Sequence, residues 1–486
     1  MIHTFLHKFP EAFFFLSLFL LGGAFFIDTL WYLALVGFVP LFYLLDHTTG
    51  KVRFAVALCF GAAYAEFLGF PFFSFSTINS FPLYGTTLAL AMSGVFLYLL
   101  FNGILIGLSL WFAFSFFKRP SARIFVVIIA WLVFETVLTK INNGAQWGMI
   151  GESLVPFSLL RIWARAGGVS LLSAIVLLVN ITAYESGKYF LKNHQPRFVS
   201  RVAISFTPLF LVLVFFLGGG ALILSREKVK GIMHGPLRIA IVQPNYHERW
   251  SPQYYKNLQA SSRDLVARSL LNPVDLAVYP SVYLGFLKKD EITPALLQKT
   301  FGDIFLSAPR IIFGFSLLED DGRLYSAEAI ADQNGVREIR KKEKLFFLSD
   351  YTPVLVQKLI PSLRRYTLSY SSPALASQRS WFELPQGHIA TLICNEGLVP
   401  ELARRAADDG AELVIISGSD ADFSSRLIYR ETLRMARIRA VANNVYVAQA
   451  MKTGISAVID PQGEVKKFVG KDEQGILVYE IPKTSP

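Results

Sequence analysis

The fold and the possible site of the second half of this chain can be inferred from one stretch, Ile389-Ala-Thr-Leu-Ile-Cys-Asn-Glu396. Its mainly apolar start predicts a buried strand, and a thiol, an amide and a carboxylate stand where that strand would end. A buried strand that opens into a turn holds a nucleophile rigidly, because both of its faces are packed. The other cysteine, Cys59, lies in an apolar run near the start of the chain. Taken alone, the stretch also fits an inert Cys394, since a free cysteine packs like a small hydrophobic residue.

The composition divides the chain into an apolar half and a soluble half. Of the 486 residues 53% are hydrophobic and 43 are Phe, and the mean hydropathy is +0.43, which is typical of a membrane protein. Residues 1–225 contain 13 Lys or Arg and 7 Asp or Glu, whereas residues 226–486 contain 34 and 29. We therefore predict a transmembrane domain with about seven helices at 1–227, a linker at 228–236 and a folded domain at 237–486. The sequence has no block of basic and aromatic residues that would indicate a nucleic-acid partner.

Seven apolar segments approach the length of about 20 residues that a bilayer-spanning helix needs. The first resembles a signal peptide, but no small-residue cleavage site precedes the next segment, so we interpret it as a retained helix. Ten Lys or Arg residues fall in alternate loops and three in the others, which predicts a cytoplasmic N-terminus. After seven crossings the second half lies in the periplasm of a Gram-negative cell. The segments are 11–27, 29–46, 53–77, 86–116, 122–140, 166–187 and 202–225.

Polar residues interrupt the apolar half at two kinds of position. Glu66 and Glu135 stand inside predicted spans, where a lone carboxylate is costly. Either could mark a path for a substrate or a proton, although a hydrogen-bonded carboxyl that faces other helices is the favoured interpretation. The loop at 142–148, which contains Trp147, suits a contact with lipid headgroups at the outer interface, as does Arg165-Ala-Gly-Gly168.

From residue 237 onward, predicted strands alternate with amphipathic helices, which indicates a layered α/β domain. Helices are expected near 253–270, 292–305, 399–409 and 424–442. Strands are expected at 237–243, 274–279, 310–316, 325–331, 389–394, 412–417, 444–450 and 455–460.

Three stretches at predicted strand ends together contain the groups that an activated thiol needs. They are Val278-Tyr-Pro-Ser281, Lys341-Lys-Glu-Lys-Leu345 with Asp350, and Cys394-Asn-Glu396. A thiol needs a base to become a nucleophile and a cation to hold an oxyanion, so a cysteine, a lysine and a carboxylate belong together. This order on an α/β domain resembles the nitrilase superfamily, whose triad is Glu, Lys and Cys. The resemblance implies an αββα sandwich.

With several spans before these three stretches, the chain is similar to the apolipoprotein N-acyltransferase family. The resemblance covers nearly the whole chain. In the membrane half it rests on Phe26-Ile-Asp-Thr-Leu-Trp31, Pro40-Leu41 and residues 144–180. In the second half it rests on Gln243 with Trp250, Ser419-Asp-Ala-Asp-Phe423, Met435-Ala-Arg-Ile-Arg-Ala440 and Ala457-Val-Ile-Asp-Pro-Gln-Gly463.

The resemblance implies roles for individual residues. Cys394 matches the nucleophile, Lys342 the catalytic lysine, and Glu396 the carboxylate two residues after the cysteine. Asp350 falls where the family has a second glutamate. The departure is Ser281, which stands where the family has its general-base glutamate. The candidate substrate-binding residues are Trp147, Trp250, Asn395 and Asp420.

The activity implied by the resemblance is a two-step acyl transfer in the bacterial inner membrane. Cys394 would take an acyl chain from a phospholipid as a thioester, and the N-terminal amine of a diacylglyceryl-cysteine lipoprotein would then accept it. Lys342 and backbone N–H groups after the cysteine would hold the oxyanion. No cofactor and no metal are implied.

Position 281 leaves two functions open, because a serine hydroxyl cannot act as a general base at neutral pH. The chain is either an acyltransferase that works at a reduced rate or uses Asp350 or Glu396 as a relocated base, or a catalytically impaired paralogue that binds lipids or lipoproteins. The retained Cys394 and Lys342 favour the enzyme. A membrane-tethered amidase is a weaker third alternative, since the membrane half itself resembles the acyltransferases.

Overall fold

The computed structural model describes residues 10–65, 88–192, 198–225, 234–246, 252–269, 272–281, 283–320, 322–345, 358, 381–419 and 426–483. They form two compact units. The first contains the described residues up to Thr139 and from Trp147 to Ser225, and the second contains Lys140–Gln146 with the described residues from His234 onward. The segment Lys140–Gln146, which the sequence assigns to the membrane half, is therefore part of the second unit.

The first unit is helical, and its helices coincide with the predicted apolar segments. Among the described residues, four helices are long and apolar enough to cross a membrane, namely Asp28–His47, Pro120–Ile141, Ala164–Lys192 and Val199–Ser225. Much of the third predicted span lies outside the described residues, so the number of crossings stays a prediction. The helices are α1 (Pro10–Phe26), α2 (Val39–His47), α3 (Gly50–Tyr64), α4 (Leu88–Phe116), α5 (Pro120–Ile141), α6 (Ser158–Arg161), α7 (Ala164–Lys192) and α8 (Phe198–Ser225), with 3₁₀ helices at Asp28–Leu35 and Ile150–Leu154.

The second predicted span is not one continuous α-helix. Its 3₁₀ helix is followed by a turn that includes Gly37, and α2 then begins with Pro40 in its first turn. The turn lies close against α1, because a Cβ atom at Gly37 would come within 2.5 Å of Leu21. Proline suits the first turn of a helix, since its missing N–H needs no partner there. A hydropathy pattern does not detect this break.

Glu135 is a buried, hydrogen-bonded residue of α5. Its Oε1 accepts hydrogen bonds from Trp131 Nε1 at 3.0 Å, Ser173 Oγ at 2.8 Å and the Ile150 backbone N–H at 3.3 Å. The side chain therefore joins α5 to α7 and to the second 3₁₀ helix, as the favoured interpretation predicts. Glu66, the other carboxyl in a predicted span, lies outside the described residues.

The second unit is built on two mixed β-sheets. Its strands are β1 (Leu237–Gln243), β2 (Leu276–Val278), β3 (Phe286–Leu287), β4 (Ile311–Leu318), β5 (Leu324–Asp332), β6 (Gly335–Lys341), β7 (Phe382–Leu384), β8 (Gly387–Ile393), β9 (Leu413–Gly418), β10 (Tyr446–Met451), β11 (Ser456–Ile459), β12 (Val465–Val469) and β13 (Gly475–Ile481). The first sheet has the order β13-β1-β2-β4-β5-β6, with β3 beside β4, and the second has the order β12-β11-β10-β9-β8-β7. The helices are α9 (Pro252–Ser269), α10 (Pro294–Phe305), α11 (Pro400–Asp408) and α12 (Arg426–Asn443).

The two sheets pack face to face, and helices cover their outer faces. Apolar side chains of both sheets, such as Ile312 of β4 and Ile415 of β9, form the core between them. Leu258 of α9 and Phe301 of α10 belong to a second core on the outer face of the first sheet. The helices α11 and α12 contact the second sheet. The predicted αββα sandwich is therefore confirmed.

Candidate active site

Cys394 begins a tight turn directly after β8, a strand that lies between β7 and β9 and is buried along most of its length. The backbone φ at Cys394 is +55°. In the described part of the chain, every other non-glycine residue with a positive φ is an Asn or an Asp. The left-handed region is sterically costly for a cysteine. Strain of this kind at the end of a strand is typical of nucleophiles, because the turn projects the side chain into a site.

Glu396 ties the Cys394 turn to the chain that follows β6. Its side chain is fully buried, and its Oε2 accepts a hydrogen bond from the backbone N–H of Ile393 at 2.8 Å. Its Oε1 accepts from the backbone N–H groups of Glu343 at 2.6 Å and Lys344 at 3.1 Å. Both carboxylate oxygens are thus occupied by backbone donors. The arrangement suits a residue that positions others better than one that accepts a proton.

Lys342 follows β6 directly and is almost fully buried. Its backbone N–H donates to the carbonyl of Ser326 at 2.8 Å, which continues the pairing of β6 with β5. Because Glu396 binds the next two backbone N–H groups, the segment that carries Lys342 is held against the Cys394 turn. The lysine and the cysteine come from different sheets, and one carboxylate fixes the distance between their backbones.

Ser281 lies in a buried turn after β2. The turn is attached to β4 on both sides of the serine, because Tyr279 N–H donates to the Ile312 carbonyl at 2.8 Å and Tyr283 N–H donates to the Gly314 carbonyl at 2.7 Å. The rings of Tyr279 and Tyr283 also pack together, with centroids 4.6 Å apart. The backbone at the position of the family's base is therefore well fixed, although the side chain there is a hydroxyl.

Glu328 is a carboxyl in this region that sequence reasoning missed. It is fully buried in the middle of β5, and its Oε1 accepts a hydrogen bond from Ser417 Oγ of β9. Burial raises the pKa of Glu328 to about 8, and the Arg340 guanidinium beside it opposes that rise. A sequence signal exists, because a carboxylate stands in a strand whose neighbouring residues are mostly alanine and other apolar types.

Arg439 of α12, also missed, holds the far end of the Cys394 turn. It is buried, its Nε donates to the Gly397 carbonyl at 3.1 Å, and its Nη2 donates to the Leu398 carbonyl at 2.7 Å. Both terminal nitrogens also lie 3.3 Å from Gln146 Oε1. The backbone N–H of Gln146 donates to the Leu398 carbonyl at 2.9 Å. The loop at 140–146 and α12 therefore both bind the Leu398 carbonyl, and α12 also binds that of Gly397.

The sequence of the second unit matches a known family along its whole length. Residues 238–485, just over half of the chain, match the family model for carbon-nitrogen hydrolases. The chain belongs to the carbon-nitrogen hydrolase family. Residues 16–182 match the model for the apolipoprotein N-acyltransferase N-terminal domain.

Relatives of this carbon-nitrogen hydrolase confirm the resemblance drawn from the motifs. The apolipoprotein N-acyltransferase of Aquifex aeolicus is 26% identical over 418 residues, which are 84% of this chain and 85% of the relative. That of Azotobacter vinelandii is 25% identical over 480 residues, which are 93% and 85%. Among solved structures, Saccharomyces cerevisiae Nit3, a member of branch 10 of the nitrilase superfamily, aligns with a TM-score of 0.41 and 16% identity over 52% of this chain and 93% of that chain.

The remaining predicted site residues fall into two groups. Asn395 is half-buried within the turn that Cys394 begins, whereas Trp147 is fully buried in the first unit. Their roles in substrate binding stay predictions. Trp250, Asp350 and Asp420 lie outside the described residues.

Proposed function

We propose that this chain is a membrane N-acyltransferase that moves an acyl chain from a phospholipid to the N-terminal amine of a diacylglyceryl-cysteine lipoprotein. The observation that carries the proposal is the strained Cys394, held by Glu396 against the segment that carries Lys342. The two family matches support it, because they combine a carbon-nitrogen hydrolase domain with the N-terminal domain of apolipoprotein N-acyltransferases.

In the first half-reaction, the Cys394 sulfur attacks the carbonyl carbon of a phospholipid ester. The C–S bond forms, the C–O bond to glycerol breaks, and the proton from the thiol passes to the lysophospholipid oxygen. The Lys342 ammonium holds the negative oxygen of the tetrahedral intermediate. Loss of one such donor typically costs about 10²–10³ in rate.

In the second half-reaction, the amine of the lipid-modified cysteine attacks the thioester carbonyl. The C–N bond forms, the C–S bond breaks, and the proton from the amine returns to the sulfur of Cys394. The covalent intermediate divides one difficult transfer into two easier steps, and the enzyme is regenerated without a cofactor.

Acyl transfer is tested with the full chain in detergent and a phospholipid that is labelled in its acyl chain. We expect a mass gain of one acyl chain at Cys394, which hydroxylamine removes. Adding a synthetic diacylglyceryl-cysteine peptide should move the label into an amide on the peptide. Intact-mass measurement of the protein and the peptide reads both steps, and a chain that never gains the acyl mass is not an acyltransferase.

A second candidate function is a binding protein for lipids or lipoproteins, which the serine at position 281 favours. Such a paralogue would bind the labelled phospholipid without any covalent mass gain. The same experiment therefore separates the two functions, because only the enzyme forms a hydroxylamine-sensitive adduct.

The orientation of the second unit is a separate prediction. The ten-to-three distribution of cations predicts that residues 237–486 lie outside the cytoplasm. Alkaline phosphatase, which is active only outside the cytoplasm, should therefore be active when fused after Pro486, whereas a green fluorescent protein fused there should stay dark. The reverse pair of signals would contradict both the seven-span topology and the periplasmic site.

A further inference from the structure

Glu328, which the mechanism above does not use, lies between the two sheets. It stands in the middle of β5, opposite Gly314 on β4 and Arg340 on β6. Ile330, on the same face of the strand, belongs to the core between the sheets. The Ser417 hydroxyl of the second sheet donates a hydrogen bond to its Oε1. The carboxyl therefore points from the first sheet toward the second.

On the second sheet, the hydrogen-bond partner of Glu328 lies beside the nucleophile. Ser417 pairs in register with Ile393, the residue that precedes Cys394. The next residue, Gly418, is closer still, since a Cβ atom there would lie 3.8 Å from the Cα of Cys394. The carboxyl group of Glu328 thus lies beside the end of β9, next to the point at which β8 ends and the Cys394 turn begins.

On the first sheet, the carboxyl lies between the segments that carry the other two candidate positions. The Lys342 N–H donates to the carbonyl of Ser326, two residues from Glu328 on the same strand. On the other side, the Gly314 carbonyl accepts from Tyr283, two residues after Ser281. Gly314 lies between Glu328 and the Ser281 turn, and because it is a glycine it places no side chain between them.

The hydrogen bonding of Glu328 differs from that of Glu396, the other buried carboxyl near the Cys394 turn. Glu396 uses both oxygens to bind backbone N–H groups, whereas Oε2 of Glu328 makes no close hydrogen bond among the described residues and the Thr391 hydroxyl of β8 interacts with this carboxyl. Arg340, which faces it from β6, donates to the Thr391 carbonyl and lies 3.5 Å from Glu343. A buried polar atom without a partner is costly, and natural structures retain such atoms mainly where they serve a purpose.

We propose that Glu328 is the general base for Cys394, in place of the carboxylate that the family carries at position 281. The proposal rests on the proposed acyl transfer. It assigns a proton acceptor on β5 to a site in which Ser281 stands at the position of the family's glutamate. Glu396 is less suited to this role, because its oxygens are already bound.

The proton transfers balance in both half-reactions. Glu328 takes the proton of the Cys394 thiol as the C–S bond forms, and it gives that proton to the glycerol oxygen as the C–O bond breaks. It next takes a proton from the attacking amine and returns it to the departing Cys394 sulfur. Burial raises the pKa of Glu328 to about 8, so the carboxyl is mostly protonated at neutral pH, and in the fraction that is ionised it is a strong proton acceptor.

The test compares thioester formation in Glu328→Gln with that in the wild-type chain. At neutral pH, with a phospholipid donor, the variant should be slower by about 10²–10⁴, the usual contribution of general acid–base catalysis. Adding Ser281→Glu to the Glu328→Gln chain should restore most of the rate, because it returns a carboxylate to the family position. Glu383→Gln, which changes an exposed carboxylate on β7, is the matched control and should react at the wild-type rate.

A second donor separates a missing base from a damaged fold. The 4-nitrophenyl ester of the same fatty acid has a leaving group that needs no proton, and at about pH 9 a cysteine thiol ionises without help. Under these conditions Glu328→Gln should react at close to the wild-type rate. A merely structural role for Glu328 would instead slow both donors equally, and Ser281→Glu would not restore the rate.

The outcomes are distinguishable. A Glu328→Gln chain that retains wild-type thioester formation would overturn the assignment, and so would an equal loss with both donors that Ser281→Glu does not repair. Loss in Asp350→Asn without loss in Glu328→Gln would move the base to Asp350. Absence of a thioester in the wild-type chain with either donor would instead reject the acyltransferase itself.

Discussion

Exchanging Cys394 for serine is expected to eliminate the acyl-enzyme adduct and all transfer to the acceptor peptide. A hydroxyl is a much weaker nucleophile than a thiolate at neutral pH and depends more strongly on a general base. The strained backbone at this position should be retained, because serine differs from cysteine by a single atom. Intact-mass measurement after incubation with phospholipid reads the result directly, since the protein should show no mass gain.

Two further variants accompany that experiment, one as a control and one as a test of the oxyanion partner. Cys59→Ser should keep the wild-type rate, because Cys59 lies on α3 of the first unit. Lys342→Met should slow thioester formation by about 10²–10³, since it removes one oxyanion partner at similar side-chain length. It should also suppress the modification of Cys394 by a lipid-like alkylating probe, because a nearby cation favours the thiolate. Acyl transfer that continues in Cys394→Ser would reject the thioester mechanism.

Glu396→Gln is expected to damage stability and activity together. An amide presents an N–H₂ group to at least one of the backbone donors that Glu396 now binds, and each hydrogen bond to a charged group that is lost costs about 1.5–3 kcal/mol. For a domain of this size, each kcal/mol lowers the melting temperature by about 2–4 °C. Thioester formation should fall by at least about 10²-fold, because the Lys342 segment is no longer held against the Cys394 turn.

The matched control is Glu473→Gln. Glu473 also accepts a hydrogen bond from a backbone N–H, that of Gly470 at 3.0 Å, but it lies in an exposed loop. Its replacement should leave the melting temperature and the rate nearly unchanged. If Glu396→Gln behaves in the same way as this control, Glu396 does not position the two candidate catalytic residues.

Periodicity in the sequence identifies the interior strands of the second unit and misses its edges. The eight predicted strands correspond to β1, β2, β4, β5 and β8–β11. Apart from the two-residue β3, the strands that were missed are β6, β7, β12 and β13, which form the four edges of the two sheets. Edge strands carry exposed and charged residues that protect them from pairing with other chains, as in Val465-Lys-Lys-Phe-Val469. In β6 and β12 the charges weaken the apolar signal on which the prediction depends, whereas β13, Gly475-Ile-Leu-Val-Tyr-Glu-Ile481, is apolar and was missed nevertheless.

The candidate site shows a similar division. Cys394 can be found from the sequence, because a thiol at the end of a predicted strand indicates chemistry by its residue type, and Lys342 follows from the resemblance to the family. Glu328 has only the weak signal of a carboxylate in an apolar strand, and nothing in the sequence shows what Glu328 or Arg439 binds, since their partners are distant in the chain. Ser417 is 89 residues from Glu328, and Gln146 is 293 residues from Arg439. A single sequence does not show which buried polar groups meet across such distances.

Because Arg439 and the loop at 140–146 bind each other and the Leu398 carbonyl, a fragment cut at residue 228 would lack part of the second unit. Such a fragment would lack Gln146, and the Leu398 carbonyl would lose one of its two donors. The guanidinium of Arg439 would lose its partner on the loop while remaining buried. Residues 140–146, which lie between helical segments of the first unit in the sequence, thus help to hold the Cys394 turn of the second unit. A fragment that retains the complete Cys394 turn therefore needs residues 140–146 as well as those from residue 234 onward.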